Sequence, residues 1–519
     1  MLFNSFPFIF IFLPLALLGF FLLGRRSMRV AAAWLAAASF FFYGWWNPAY
    51  VMLLLASVGA NFMFGTRLAR LHSEGRLPDA ARLLALGVTA NLLLLGYYKY
   101  TNFFLASLGG FGGTPHAVVA IILPLGISFF TFTQIAFLVD ASRGEAKEYS
   151  LVHYCLFVTY FPHLIAGPIL HHGEMMPQFQ DKRVYSPQWE NFAVGLSIFL
   201  IGLYKKTVLA DGVAEYVGPA FNAAAAGGTL TFLDAWGAAL AYTFQIYFDF
   251  SGYSDMAIGL SRMFGIVLPL NFDSPYKAAS IIDFWRRWHI TLSRFLRDYL
   301  YFPLGGNRKG GARRHLNLFL TMLIGGLWHG AGWTFVCWGA LHGIYLAINH
   351  GFRSLCRTLD VEPARWFAWR WFATLLTFIA VVIGWVLFRA ADLTAALAML
   401  KGMAGMNGLA MPERWLTSWG PLGRWIAQQG VPFVEMNLFQ AGTQMNWLWI
   451  LLFVCWAFPN TQQIMAAWRP GLVSPGYAAI TPGRWAWKPS FGWMIVTAGL
   501  GIYALLAISE FTEFIYFQF

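Results

Sequence analysis

The chain has 519 residues, of which 58% are hydrophobic, 18% aromatic and only 11% charged, with a mean hydropathy of +0.57. That balance excludes a soluble globular enzyme and a disordered segment, and it requires a polytopic membrane protein. The net charge of +12 does not point to nucleic acid, because Lys and Arg fall in short blocks at the ends of apolar runs, where the positive-inside rule places them.

The first apolar run, Phe8 to Leu23, has no basic stretch ahead of it and no small-residue cleavage pattern behind it, so it is expected to be retained. Runs of similar length recur near 8–24, 30–46, 50–66, 83–98, 117–139, 151–167, 192–211, 230–250, 316–331, 333–349, 369–389, 444–459 and 491–509. Each is close to the ~20 residues that a helix needs to cross ~30 Å of hydrocarbon. The expected fold is therefore all-α and polytopic, with eleven to thirteen spans in one membrane domain, 1–519. Arg25, Arg26 and Arg29 follow the first run, Arg67, Arg70, Arg76 and Arg82 the third, and Arg143 and Lys147 the fifth. Alternate loops are thus basic, which puts the N-terminus outside and those loops in the cytoplasm.

FPHLIAGP (Phe161 to Pro168) interrupts the sixth run, and a proline-kinked span whose freed carbonyls meet His163 and water is the simplest account. His171, His172 and Glu174 lack the spacing that puts two imidazoles on one helix face, so no metal site is expected. Four dispersed cysteines, Cys155, Cys337, Cys356 and Cys455, form no CxxC pair and no disulfide framework. Asp249 and Asp255, in a stretch with Tyr247, Ser251, Tyr253 and Ser254, are carboxylates at or near membrane depth. Pairing with an arginine belt is the expected reason for them, with the lining of a polar tunnel as the functional alternative.

That belt lies between Asn271 and His315, which carries nine Lys and Arg against Asp273, Asp283 and Asp298 and is too charged to span. Phe284, Trp285, Trp288, Leu292, Phe295, Leu296 and Tyr299 recur at helical spacing, so an amphipathic helix is expected, interfacial or dipping in as a re-entrant element. His289 sits in it beside Arg286, Arg287 and Trp288; snorkelling cations and an anchoring Trp are one account of the arginines and fit the histidine less well, while the functional alternative is that this positively charged neighbourhood binds an anionic thioester donor. LGGNRKGG (Leu304 to Gly311) is a glycine-rich turn without a phosphate-loop pattern.

Trp328, His329 and Gly330 then stand inside the apolar run Leu316 to Ile348. A helix starting from Arg314 would carry His329 about 22 Å along its axis. Gly325, Gly326, Gly330 and Gly332 are expected to break that helix and admit a neighbouring backbone or substrate, as at a midplane site. His329 is either a histidine packed in a bundle or a buried neutral imidazole serving as general base toward a hydroxyl. His342 and His350 are expected to be structural, with His342 also placed to orient His329. Ala390 to Gln444 is a long outer connection rich in Pro, Gly and Trp, expected to form a lid or docking surface.

QIYFDFSGYSDMAIGLSRMFG (Gln245 to Gly265), FWRRWHITLSRFLRDYLYFPLGGNRKG (Phe284 to Gly310) and NLFLTMLIGGLWHGAGWTFVCWGALHG (Asn317 to Gly343) resemble the membrane-bound O-acyltransferase family. The resemblance is to the bacterial branch that acetylates exported polysaccharides such as alginate and cellulose, and extends to KYTNFF (Lys99 to Phe104), ILPLGISFFTF (Ile122 to Phe132), FPHLIAGPIL and FIYFQF (Phe514 to Phe519). Its family-type core is about residues 122–350. The resemblance implies re-entrant helices around a central tunnel, a bacterial inner-membrane location, and catalytic roles for His329 in its WHG context and His289 in RRWH. It implies acetyl-CoA as acyl donor with no bound cofactor, and hand-off to an extracytoplasmic SGNH-type acetyltransferase within a polysaccharide-export machinery. Arg286, Arg287, Trp288, Asn317, Trp328, Asp249, Tyr253 and Asp255 are the donor-binding or tunnel candidates, with Asn317 or Trp288 considered for the oxyanion. Two alternatives stay open: D-alanyl transfer to teichoic acid from a carrier protein, and a proton-coupled exporter or secretion channel in which His329 and the aspartates relay protons.

Overall fold

The computed structural model describes residues 1–112, 119, 121–148, 150–473, 480–508 and 515. Residues 117, 118 and 120 of the fifth apolar run, residue 509 of the last, and FIYFQF apart from Ile515 lie outside the described residues. The chain is a bundle of helices, beginning with α1 (Leu13–Gly24), α2 (Met28–Gly44), α3 (Ala49–Ser73) and α4 (Leu77–Leu95). A π-helical turn, Gly96–Tyr100, leads from α4 into α5 (Thr101–Gly112), and α6 (Ile127–Ser142) and α7 (Leu151–Thr159) follow. Among the described residues, Ala49–Ser73, Leu77–Gly109, Trp189–Ala214 and Phe367–Arg389 have the length and apolarity to cross a bilayer alone, and six shorter apolar helices accompany them. The 151–167 run is not one helix: it breaks at Tyr160 ahead of Pro162, and the His163 ring nitrogen meets the Phe157 carbonyl oxygen at 2.9 Å.

The spine is α8 (Trp189–Tyr204), continued by a π-helical turn over Lys205–Ala210, packed on the 32-residue α9 (Phe232–Met263). A Cβ at Gly195 would stand 2.6 Å from the Gly259 carbonyl oxygen, and one at Gly202 2.7 Å from that of Gly252. Two glycine pairs therefore let the backbones touch, the close approach that drives association where lipid removes the hydrophobic effect. α9 continues beyond the expected end at residue 250 because its carboxylates are paired internally. The partners are adjacent lysines and not the arginine belt. Lys206 Nζ lies 2.8 Å from Asp249 and 2.6 Å from Asp211, and Lys205 Nζ lies 2.8 Å from Asp255, which also accepts from Thr461 and Gln462.

The basic segment is not one amphipathic helix. α10 (Ile281–Arg287) and α11 (Ile290–Leu296) are arms of a hairpin broken at Trp288 and His289, and most of its aromatic face is buried in protein. Arg353 donates to Ser280 where the first arm enters, and Tyr299 reaches Asp140 and His171 where the second leaves. Arg294 forks onto Glu174 at 2.6 and 2.7 Å. His171, His172 and Glu174 therefore face Tyr299, Glu148 and Arg294 separately.

After the glycine turn come α12 (Gly310–His329), α13 (Trp333–Thr358) and α14 (Phe367–Arg389). α12 runs unbroken through Gly325 and Gly326 and stops at His329, so the break falls at Gly330–Gly332. Gly326 instead serves contact: a Cβ there would meet Gly339 Cα of α13 at 2.9 Å. The His315 and His350 rings, 6.0 Å apart, put the start of α12 beside the later half of α13. Both hairpin arms thus open to the side from which α12 starts. The 390–444 connection is built from α15 (Leu393–Met403), a two-residue parallel strand pair, Met411–Pro412 with Phe433–Val434, and two short helices. α16 (Thr443–Ala457) and α17 (Phe491–Leu506) complete the bundle.

Replacing Lys206 by Met leaves the buried Asp249 and the half-buried Asp211 without their cation, and breaking a buried pair in this way typically destabilises by about 3–5 kcal/mol. The expected outcome is a clear fall in thermal midpoint in detergent, partly restored when Asp249→Asn is added; an unchanged midpoint would show that the ion pair does not hold α8 to α9.

Candidate active site

His329 is the last residue of α12, 6% exposed, and its ring is walled by Trp328, Trp338 and Phe388 at centroid distances of 4.9, 5.2 and 5.2 Å. It borders two spaces. One, of about 200 Å³, is lined by Trp46, Lys99, Gly126, Ser128 and Trp328. The other, about 10 Å³, lies among Asp249, Phe250, Trp288, Trp338 and Phe388. His329 is the residue shared by a vestibule and a narrow slot on a different set of helices.

His289 forms the tip of the hairpin, fully buried, with its ring 6.4 Å from that of His329. Its backbone is left-handed, at φ 45° and ψ 54°, a conformation costly for a side-chain-bearing residue and often found at functional sites. Asn271 stabilises the bend: its Oδ1 accepts from the Thr291 amide at 3.3 Å and the Thr291 hydroxyl at 3.0 Å, and its carbonyl accepts from the Ile290 amide at 3.0 Å. The same Oδ1 lies 3.1 Å from His289 Nδ1. Since a carbonyl oxygen only accepts, Nδ1 carries a proton, and in the neutral ring Nε2 is then the lone-pair nitrogen.

The other predicted residues separate. Trp328 lines the vestibule, and Trp288 and Asp249 line the slot. Arg286 is exposed on α10, and Arg287 is tied to Asp283 at 3.0 Å and to the Asp273 carbonyl at 3.3 Å, so neither reaches the imidazoles. Asn317 sits about 18 Å back along α12 by helical rise, with its amide on the Gly306 carbonyl, too far to meet an oxyanion at His329. Tyr253 stacks on Phe3 at 4.6 Å, and Asp255 is held by Lys205, Thr461 and Gln462; neither lines a space at His329. The His342 ring packs on Trp338 at 4.7 Å, and Trp338 in turn packs on His329 at 5.2 Å. Sequence reasoning missed Asn271, Trp338, Phe388 and Lys99. A lysine closing an apolar run was a usable signal; the others show only once the helices are packed.

Asn271→Ala frees the His289 tautomer and is expected to lower turnover about 10- to 100-fold, while Asn271→Asp, which keeps an acceptor oxygen, retains more. Equal activity in wild type and Asn271→Ala would remove tautomer control from the site.

The profile of the membrane-bound O-acyltransferase family matches residues 82–390, a span that includes the hairpin and both histidines. The chain is 45% identical over 440 residues to the peptidoglycan O-acetyltransferase of Helicobacter pylori, covering 79% of this chain and 81% of that protein. It is 43% identical over 418 residues to the probable alginate O-acetylase AlgI of Pseudomonas aeruginosa, covering 80% and 76%. With the probable alginate O-acetylase AlgI of Pseudomonas fluorescens it shares 36% identity over the full length of both chains. The chain is an acyltransferase and belongs to the membrane-bound O-acyltransferase family.

Proposed function

We propose that the protein moves an acetyl group from a cytoplasmic thioester, acetyl-CoA, to an acceptor on the outer side of the bacterial inner membrane, for O-acetylation of an exported polysaccharide. The observation that carries this reading is that, among the titratable groups of the described residues, only His329 borders both spaces, and it stands at a helix end inside the bundle. The relatives' names supply the substrate class, since they concern alginate and peptidoglycan.

Sidedness is supported by the loops. Arg29, Glu145 and Lys147 line one cleft, and His72 bonds the Ser142 carbonyl, so the three basic loops gather on one face. Trp46 borders the vestibule, and Tyr50 bonds the Ile122 carbonyl at 2.7 Å, so the vestibule lies toward the opposite end of those helices. With basic loops in the cytoplasm, the N-terminus is outside and the vestibule receives the acceptor. Its volume, about 200 Å³ and walled largely by Trp46, Leu123, Pro124 and Trp328, suits one hydroxyl-bearing group better than a polymer strand. This favours hand-off to a partner acetyltransferase outside, with the ordered 390–444 connection as its docking surface.

In the reaction, an imidazole nitrogen of His329 takes the hydroxyl proton as the acceptor oxygen attacks the thioester carbonyl. The carbon–sulfur bond then breaks and the thiolate recovers the proton from the imidazolium, so no net proton is consumed. His289, with Nε2 as acceptor, orients a proton-bearing group between the rings. The buried indole N–H groups of Trp328 and Trp338, without hydrogen-bond partners among the described residues, are the donors beside His329 able to meet the oxyanion.

The test is transfer of labelled acetyl by purified protein in lipid, with and without a candidate partner. His329→Ala is expected to lose about 10²–10⁴ in rate while remaining folded, and His289→Ala less. Undiminished transfer in folded His329→Ala overturns the mechanism; transfer only from an acylated carrier protein replaces the donor; proton-driven solute flux without acyl transfer replaces the class.

A further inference from the structure

The carboxyl end of α12 stops within the bundle, and its last carbonyls cannot be answered by another helical turn because Gly330 and Gly332 are extended. They are answered from one place. Tyr100 Oη donates to the Leu327 carbonyl at 2.8 Å, and Lys99 Nζ donates to the Trp328 carbonyl at 2.6 Å and the His329 carbonyl at 3.1 Å. Both residues belong to the π-helical turn Gly96–Tyr100, whose wider geometry departs from the regular helix at this point and is frequent at functional sites. The third Lys99 donor reaches Ser128 Oγ at 3.2 Å, beside the left-handed Gly126 that starts α6.

We propose that Lys99 is a positioning residue that sets the place of the His329 imidazole by clamping the end of α12 to α6 across the vestibule wall. Two carbonyls and the Ser128 hydroxyl engage the Lys99 amino group, so Lys99 is committed to protein and not to substrate. When protonated, it also opposes the negative end of the α12 dipole. Tyr100 holds the preceding carbonyl, so the last three residues of α12 are fixed one by one. Through Ser128 the same group ties the helix end to the first turn of α6, which also lines the vestibule, so the helix end and the vestibule lining are held together.

The inference rests on reading His329 as the base. The experiment uses the full-length protein in lipid nanodiscs and compares Lys99→Met, Lys99→Arg, Tyr100→Phe and His329→Ala in acetyl transfer from acetyl-CoA. The rate of His329 carbethoxylation by diethyl pyrocarbonate, read by mass spectrometry, is measured in parallel. Folded Lys99→Met is expected to lose about 100-fold in kcat, the size of effect a misplacement of about 1 Å produces, with KM for acetyl-CoA unchanged. His329 labelling is expected to rise several-fold, and Lys99→Arg to recover part of both. If Lys99→Met does not fold, Tyr100→Phe, which loses a single bond, is expected to show a smaller fall in kcat with the same rise in labelling. Lys99→Met, or in its place Tyr100→Phe, with wild-type kcat and labelling alongside an inactive His329→Ala overturns the clamp alone. An active His329→Ala overturns the catalytic reading itself.

Discussion

A helix that ends inside a membrane protein must find donors for its last carbonyls, and much of this site follows from that requirement. Water satisfies such groups at a surface, but in an apolar interior each unanswered carbonyl costs several kcal/mol. α12 ends there at His329, followed by extended glycines, and the supply of donors falls to Lys99 and Tyr100. The hairpin solves the mirror problem: α11 begins at depth, and Asn271 receives the first amides of that helix while also fixing the ring beside them. Two helix ends, each satisfied by side chains from elsewhere, meet with imidazoles 6.4 Å apart.

These ends keep their positions because they are set against a spine that cannot slide. α8 and α9 touch through paired glycines, where even a methyl group meets backbone oxygen. The lysine–aspartate pairs just beyond the glycines are buried and hydrogen-bonded, which fixes register as well as separation. Asp249 belongs to both arrangements, since it pairs with Lys206 and also lines the slot beside His329.

The sequence was informative wherever a residue violated its surroundings. His329 and His289 stood out as ionisable groups in greasy or aromatic contexts, and their neighbouring motifs carried the family resemblance that the comparisons sustain. Where the periodicity was ordinary, it misled: Phe284 to Tyr299 has the spacing of one amphipathic helix, yet the bend at His289 depends on Asn271, which comes from a preceding loop and leaves no local trace. Asp249 and Asp255 were visible as buried carboxylates, but their partners were assigned to the abundant arginines of the belt and not to two lysines at the end of another apolar run. Arg286 is exposed and the buried Arg294 is taken by Glu174, and which cation meets which carboxylate is a property of packing that residue counts do not carry. Asn317 shows the same limit: being polar and apolar-flanked, it qualified by composition and failed by distance.

The vestibule has an electrical consequence. The opening that His329 borders on one side leaves the layer formed by His329, Trp338 and Phe388, and the packing behind it, as the septum on that path. Voltage across a membrane falls where the dielectric is thin, and a unit charge crossing it changes energy by about 2.3 kcal/mol per 100 mV. With water in that opening, His329 stands at the edge of the low-dielectric layer, where the resting field is concentrated. On the proposed reading of His329 as the base, the energised state of the membrane enters the barrier, a contribution that a detergent-solubilised enzyme does not experience.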